Sequence, residues 1–185
     1  MSVSSRANDA KFKAAFSEFF VFEKQLPEQV FNRKNQSKFV IGESGMFHKK
    51  SIFEKLCQKY GDKNLNYYMI DPPEVLYSID FDKEFSNVWS RDLLGFLQEN
   101  HDEPKVWPWM IAGLQCYFGS SMSWCSYHDN HVFELDIFQV PINCDTEHIF
   151  GPKRWDITDF QDSVRRHGLN LSDFEVEKLR MNYFS

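Results

Sequence analysis

Serine, cysteine, histidine and carboxylate side chains are concentrated between residues 120 and 136 of this sequence, and these types carry much of protein chemistry. Glu134 and Asp136 are two residues apart, so on a β-strand both side chains point to one face, roughly 7 Å apart. Two carboxylates at that spacing can hold a metal ion or perform acid–base chemistry, with Tyr127 or His128 nearby. The polar outer face of a half-buried strand accounts for the same residues, and we favour this simpler interpretation.

A second group of chemically capable residues is formed by Cys125, His128 and His131, which follow one another at three-residue steps. A structural zinc site needs four convergent nitrogen or sulfur ligands, usually in closely spaced pairs. Cys144 and His148 add a further pair, but the spacing is loose, and the hairpin register predicted below places Cys125 on the opposite face. We therefore predict that the protein binds no metal and no other cofactor.

Nucleophilic catalysis would require a serine or cysteine held beside a histidine. The candidates that closely precede His128 are Ser120, Ser121, Ser123 and Cys125. They lie in no GxSxG elbow and in no cysteine–histidine signature, and the turn at 42–45 lacks the spacing of a phosphate-binding loop. An enzyme of an unrecognised, hydrolase-like family, with a site near residues 123–136, is the alternative function that stays open.

The overall charge limits the classes of partner. The 185 residues include 21 basic and 27 acidic side chains, which gives a net charge of −6. Binding to phosphate backbones needs a basic face, whereas the basic clusters here are only two residues long, so we predict no nucleic-acid partner. With 19 Phe, 7 Tyr and 5 Trp, the chain is aromatic enough to fold around a core.

Targeting features are not evident in the sequence. The first ten residues lack the apolar segment of a signal peptide, and the longest apolar runs are about four residues, against roughly 20 for a membrane span. The four cysteines are Cys57, Cys116, Cys125 and Cys144, and their spacing contains no CxxC pair. In a cytosolic chain, such thiols are usually reduced and buried. We therefore predict a cytoplasmic protein without a membrane partner.

The elements that would position these residues follow from apolar periodicity and capping signals. Helices are predicted over 8–26, 49–60 and 83–99, with a polar loop at 99–104. Strands are predicted at 38–41, 65–70, 75–81 and within 105–140. Two capping boxes, Thr158-x-x-Gln161 and Ser172-x-x-Glu175, predict two closing helices. Residues 1–185 are thus predicted to form a single α+β domain, with an antiparallel sheet and helices at the N- and C-terminal ends.

The clearest local signal is a β-hairpin over residues 122–140. Two strand-like segments flank Asp129-Asn130, a pair that suits a two-residue turn because both residues tolerate positive φ. This turn would place His128 opposite His131 and would fix the register of the whole hairpin. The core face would then carry Trp124, Phe133, Leu135 and Ile137. The opposite, wetter face would carry Glu134 and Asp136.

An acidic, aromatic-rich surface also suits a protein that binds another protein. Acidic groups steer a basic partner and raise the association rate, while aromatic anchors supply buried contact energy. The residues that we predict to face such a partner are Asp80, Asp82, Glu84, Asp102, Glu103, Tyr127, Glu134 and Asp136. Each of these charges, taken alone, is also consistent with an ordinary solvated surface.

The segment Gly119-Ser-Ser-Met-Ser-Trp-Cys-Ser-Tyr127, followed by Glu134-Leu-Asp-Ile-Phe138, resembles the late hairpin of immunity proteins from bacterial toxin systems. In that family, a strand with small residues and a tryptophan leads into an acidic and apolar strand. The resemblance covers residues 119–138 and implies a cytosolic antidote that binds a cognate, basic toxin domain one to one. It implies no particular contact residues, because such families keep their fold better than their binding residues.

Overall fold

Helices and short strands make up most of the chain that the computed structural model describes, which is residues 9–21, 24–32, 36–44, 46, 50–69, 75–80, 114–129, 132–153 and 155–184. The helices are α1 (Asp9–Phe19), α2 (Lys50–Tyr60), α3 (Thr146–Phe150), α4 (Ile157–His167) and α5 (Asp173–Tyr183). The strands are β1 (Ser37–Glu43), β2 (Asn64–Met69), β3 (Val75–Asp80), β4 (Leu114–Gly119), β5 (Cys125–Asp129) and β6 (Leu135–Pro141). The predicted helix at 83–99 and the loop at 99–104 lie outside the described residues.

The described strands form one sheet in the order β1-β6-β5-β4-β2-β3, and each neighbouring pair is antiparallel. β4, β5 and β6 are sequential neighbours, while β1 adds to β6 and the β2–β3 pair adds to β4. α1 precedes the sheet in the chain, and α3, α4 and α5 follow it. The predicted α+β architecture, with an antiparallel sheet and helices at both ends, is confirmed.

Helices cover both faces of the sheet. On one face, α2 and α3 pack through apolar side chains that include Phe53 and Phe150. On the other face, α1, α4 and α5 pack through residues such as Phe16, Phe160 and Leu179. Every residue of β4 and β5 is buried, so the central strands have no solvated face. Within the described residues, ten phenylalanines are buried in these two cores on opposite sides of the sheet.

The hairpin formed by β5 and β6 has a longer turn than the sequence predicts. His128 pairs with Asp136 rather than with His131, which is a shift of five residues along the second strand. Asp129 is the last residue of β5, and its Oδ1 accepts the backbone N–H groups of Val132 (2.8 Å) and Phe133 (3.3 Å). The predicted two-residue turn is therefore wrong, because the Asp129 side chain organises a wider loop. A shift by an odd number also reverses which residues share a face.

The first two helices agree with the sequence to different degrees. α1 ends at Phe19, before the predicted end at residue 26, and Phe20 then pairs with Phe31 in an isolated antiparallel bridge. α2 agrees closely with the predicted range of 49–60. Gly61 follows α2 with a φ of 66°, a left-handed conformation that glycine adopts at low cost at helix ends.

Capping side chains set the starts of the last two helices. α4 starts after Asp156 rather than at the predicted Thr158 box, because the Asp156 carboxylate accepts the backbone N–H groups of Thr158 and Asp159. The box predicted for α5 is confirmed, since Ser172 and Glu175 each accept the other's backbone N–H group.

Candidate functional site

A hydrogen-bonded array of serine, histidine and aspartate lies at the centre of the sheet. Ser126 and His128 are two residues apart on β5 and share a face, and β6 places Asp136 directly opposite His128. The His128 Nδ1 atom is 2.7 Å from Asp136 Oδ1, and His128 Nε2 is 2.8 Å from Ser126 Oγ. This is the order in which a catalytic nucleophile, base and orienting acid are connected.

The neighbouring strand β4 extends the array. Gln115 pairs with His128 in register, Tyr117 pairs with Ser126, and the Tyr117 hydroxyl donates to Gln115 Oε1 at 3.0 Å. Burial raises the pKa of Tyr117, with further contributions from Tyr67 and from Asp136, so the phenol stays neutral and keeps its donor proton. We call Gln115, Tyr117, Ser126, His128 and Asp136 the polar belt.

Aromatic rings seal the polar belt from solvent. The Phe53 ring on α2 lies 6.2 Å from the His128 ring and 4.9 Å from the Tyr117 ring. Tyr117 and Phe138 both stand nearly perpendicular to His128, at centroid distances of 5.3 and 5.4 Å. Ser126, His128 and Asp136 are each 0% exposed. The Ser126 hydroxyl is therefore closed to solvent in this arrangement, and such a buried, hydrogen-bonded network favours one pairing of the strands.

Two of the predicted partner-binding residues are in the interior. Asp136 belongs to the polar belt, and Tyr127 points to the opposite face of the sheet, where its ring lies 6.3 Å from the Phe31 ring. The prediction of a wetter face carrying Asp136 is wrong, because helices cover both faces of β5 and β6. Neither side chain is available to a partner in this structure.

Glu134, the third predicted residue of the hairpin, is half-buried and engaged within the chain. It lies in the loop before β6, with a φ of 51°, and its Oε2 is 2.5 Å from His167 Nδ1 at the end of α4. His167 Nε2 is also 3.3 Å from Glu43 Oε1, and Arg166 is 3.8 Å from the same oxygen. Glu134 thus ties the hairpin loop to the C-terminal end of α4, where a helix dipole favours cationic groups.

The other predicted partner-binding residues lie at or beyond the edge of the described region. Asp80 is the final residue of β3, on the outermost strand of the sheet. The other four lie outside the described residues, and they are Asp82, Glu84, Asp102 and Glu103.

The predicted metal candidates do not converge. Cys125 and His128 point to opposite faces of β5, in separate cores, and His131 lies outside the described residues. Within the described ranges, no group of three or more histidine, cysteine, aspartate or glutamate side chains is placed to hold a metal ion.

A buried carboxylate that the sequence pattern did not single out fixes the turn between β4 and β5. Asp62, which follows α2, accepts the indole N–H of Trp124 at 2.7 Å and the backbone N–H of Ser121 at 2.5 Å. It also lies against Gly119, where an added Cβ would be 2.2 Å from Asp62 Oδ2. These contacts hold Trp124, the residue before β5, in place. Because Asp62 is about 60 residues away in sequence, local patterns do not reveal the pairing.

No protein-family model matches the chain, and neither a curated protein nor a solved structure matches it.

In the part of the chain described here, no helix is both long enough and apolar enough to cross a lipid bilayer.

Proposed function

We propose that this protein binds another protein and neutralises it, as an immunity protein does with the toxin domain of a bacterial toxin system. The partner would be a basic effector domain, bound one to one in the cytoplasm. The resemblance of residues 119–138 to the late hairpin of immunity proteins supports a protein that neutralises a toxin by binding it. The negative net charge of the chain supports a basic partner.

The observation that carries this proposal is the acidic surface of the C-terminal helices in a chain with a net charge of −6. These helices, the caps of α3 and α4 and the segment between them expose more carboxylates than basic side chains: Asp145, Glu147, Asp156, Asp162, Asp173 and Glu177 against Lys153, Arg165, Arg166 and Arg180. An acidic surface of this kind accelerates encounter with a basic protein and disfavours acidic ones. The chemically capable polar belt, in contrast, is enclosed in the core.

Co-expression tests the proposal directly. The chain is expressed together with the C-terminal domain encoded by the neighbouring gene, and growth is compared with cells that express that domain alone. We expect restored growth and a one-to-one complex of the two purified proteins in isothermal titration calorimetry. The association rate should fall steeply as salt concentration rises, because screening weakens steering between opposite charges. Absence of binding, or binding that is insensitive to salt, would contradict the proposal.

One observation favours the alternative, a hydrolase. Ser126, His128 and Asp136 have the hydrogen-bond order of an acyl-transfer triad. Ser126 is not among the serines that the sequence pattern singled out, and Glu134 bonds to His167 instead. In such a reaction Ser126 Oγ would attack a carbonyl carbon, His128 would pass the serine proton to the leaving group, and water would release the acyl group. This chemistry would require Phe53 and α2 to move away from the sheet.

A fluorophosphonate probe separates the two functions, because it reacts covalently with activated serines. For a binding protein with a closed core, we expect no labelling of the native chain. Labelling of the wild type that is absent from Ser126→Ala would replace the binding proposal with the hydrolase.

A further inference from the structure

The outer face of α5 exposes large apolar side chains. Phe174 is 71% exposed and Met181 is 62% exposed, and they are seven residues apart, so they lie on the same side of the helix. Lys178 lies between them on that side, and its Nζ is 5.3 Å from the centre of the Phe174 ring. We call Phe174, Lys178 and Met181 the α5 ridge.

The inner face of α5 holds the ridge in a fixed position. Leu179 and Tyr183 are buried in the core beneath the helix, and the Tyr183 hydroxyl accepts the Val30 backbone N–H at 2.8 Å. Lys178 forms an ion pair with Glu28. The ridge is therefore presented by a helix that is anchored on its other side, and little ordering would be needed on binding.

The charge around the ridge favours a basic protein as the partner that binds there. α5 and Glu28 together carry four carboxylates, Glu28, Asp173, Glu175 and Glu177, against the two basic groups Lys178 and Arg180. Both basic groups are already ion-paired within the chain, Lys178 with Glu28 and Arg180 with Glu177. A second copy of this chain would bring the same negative charge to the contact, whereas a basic protein would complement it.

We infer that the α5 ridge is the anchor of the proposed partner interface, and that it inserts into an apolar groove bordered by basic side chains on a toxin domain. The inference rests on the proposed function. Helices commonly enter such grooves through apolar side chains repeated on one face, and here Phe174 and Met181 occupy positions i and i+7. Phe174, with most of its ring in solvent, would bury the largest apolar area.

Calorimetry with the purified C-terminal domain encoded by the neighbouring gene tests the inference. We expect Phe174→Ala to weaken binding by about 10-fold to 30-fold, and Phe174→Ala with Met181→Ala to weaken it further. The matched control is Ile142→Ala, since Ile142 is 56% exposed after β6 and lies outside α5. It should bind like the wild type. Because all three side chains are exposed, the thermal midpoints should stay close to that of the wild type.

The outcomes separate the inference from the proposed function. If the wild type fails to bind the domain, both fall. If the wild type binds and Phe174→Ala binds equally well, the interface lies elsewhere and only the inference falls. If light scattering shows a wild-type dimer that Phe174→Ala converts to a monomer, a second copy occupies the ridge and the inference is overturned.

Discussion

His128 and Asp136 face each other across β5 and β6, and the 2.7 Å contact between Nδ1 and Oδ1 joins them in a part of the core without solvent. A one-residue slip of β6 would bring Leu135 or Ile137 opposite His128 and would leave both polar groups without this partner. Buried polar groups without a partner are costly, so the pair penalises the neighbouring registers. The contact therefore helps to select one pairing of the two strands.

Breaking this pair should be strongly destabilising. We expect Asp136→Ala to lower the free energy of unfolding by about 1–3 kcal/mol, because the substitution leaves the buried imidazole without its hydrogen-bond partner at Nδ1. Urea denaturation followed by circular dichroism measures the change. The control is Asp162→Ala, which removes an exposed ion pair with Arg165 and should cost no more than about 0.5 kcal/mol. Similar losses in the two variants would show that the buried pair has no special role.

The helix caps and the hairpin turn illustrate what local sequence can and cannot predict. Ser172-x-x-Glu175 was predictable because both partners lie within one turn of helix. The hairpin register was not, because Asp129 fits a two-residue turn in the sequence, whereas in the structure its side chain bonds to two N–H groups further along the loop. The local pattern holds no information on which of these bonds forms.

The candidate site was only partly predictable for a related reason. Residue types alone single out the region near 123–136, but not Ser126 within it, because the array joins Ser126, His128 and Asp136 only in the observed register. Alternation predicted one wet face for the hairpin. That expectation failed because helices distant in sequence cover both sides of the sheet, and contacts such as Glu134 with His167 depend on the same packing.

A methyl group at Gly119 should conflict with Asp62. An added Cβ would lie 2.2 Å from Asp62 Oδ2, and that oxygen is held by the Trp124 indole N–H. We expect Gly119→Ala to lower the free energy of unfolding by about 1–3 kcal/mol through overpacking. A double-mutant cycle with Asp62→Ala checks the cause, because Gly119→Ala should cost less once the carboxylate is removed. Additive effects of the two substitutions would show that the cost of Gly119→Ala does not come from Asp62.

Alkaline pH should weaken the fold partly through Cys57. Burial, and secondarily the charge of Asp62, raises the pKa of the Cys57 thiol from 9.0 to about 12. The unfolded chain ionises this thiol near 9.0 while the folded chain keeps it neutral, so its contribution to stability is intact below 9.0 and is lost as pH rises towards 12.

The Cys57→Ala variant isolates this contribution. Urea denaturation from about pH 8 to about pH 11 should show a shallower loss of stability with pH than the wild type shows. The comparison uses slopes, so any constant cost of the smaller side chain cancels. Equal slopes in the two proteins would exclude Cys57 as a source of the alkaline sensitivity.

The start of α4 offers a test of which residue is the true cap. The Asp156 carboxylate accepts the backbone N–H groups of Thr158 at 2.7 Å and Asp159 at 3.0 Å, and Asp159 bonds back to the Asp156 N–H. Asp156→Ala removes these acceptors and should cost about 1 kcal/mol. Thr158→Ala changes the residue that the sequence pattern favoured as the cap, and it should alter stability by no more than about 0.5 kcal/mol because Thr158 is exposed. Urea denaturation midpoints measure the loss of stability in each variant. Both positions are exposed and only two residues apart, so the two substitutions are made in nearly the same surroundings. A larger loss for Thr158→Ala than for Asp156→Ala would mean that the helix begins later than the structure places it.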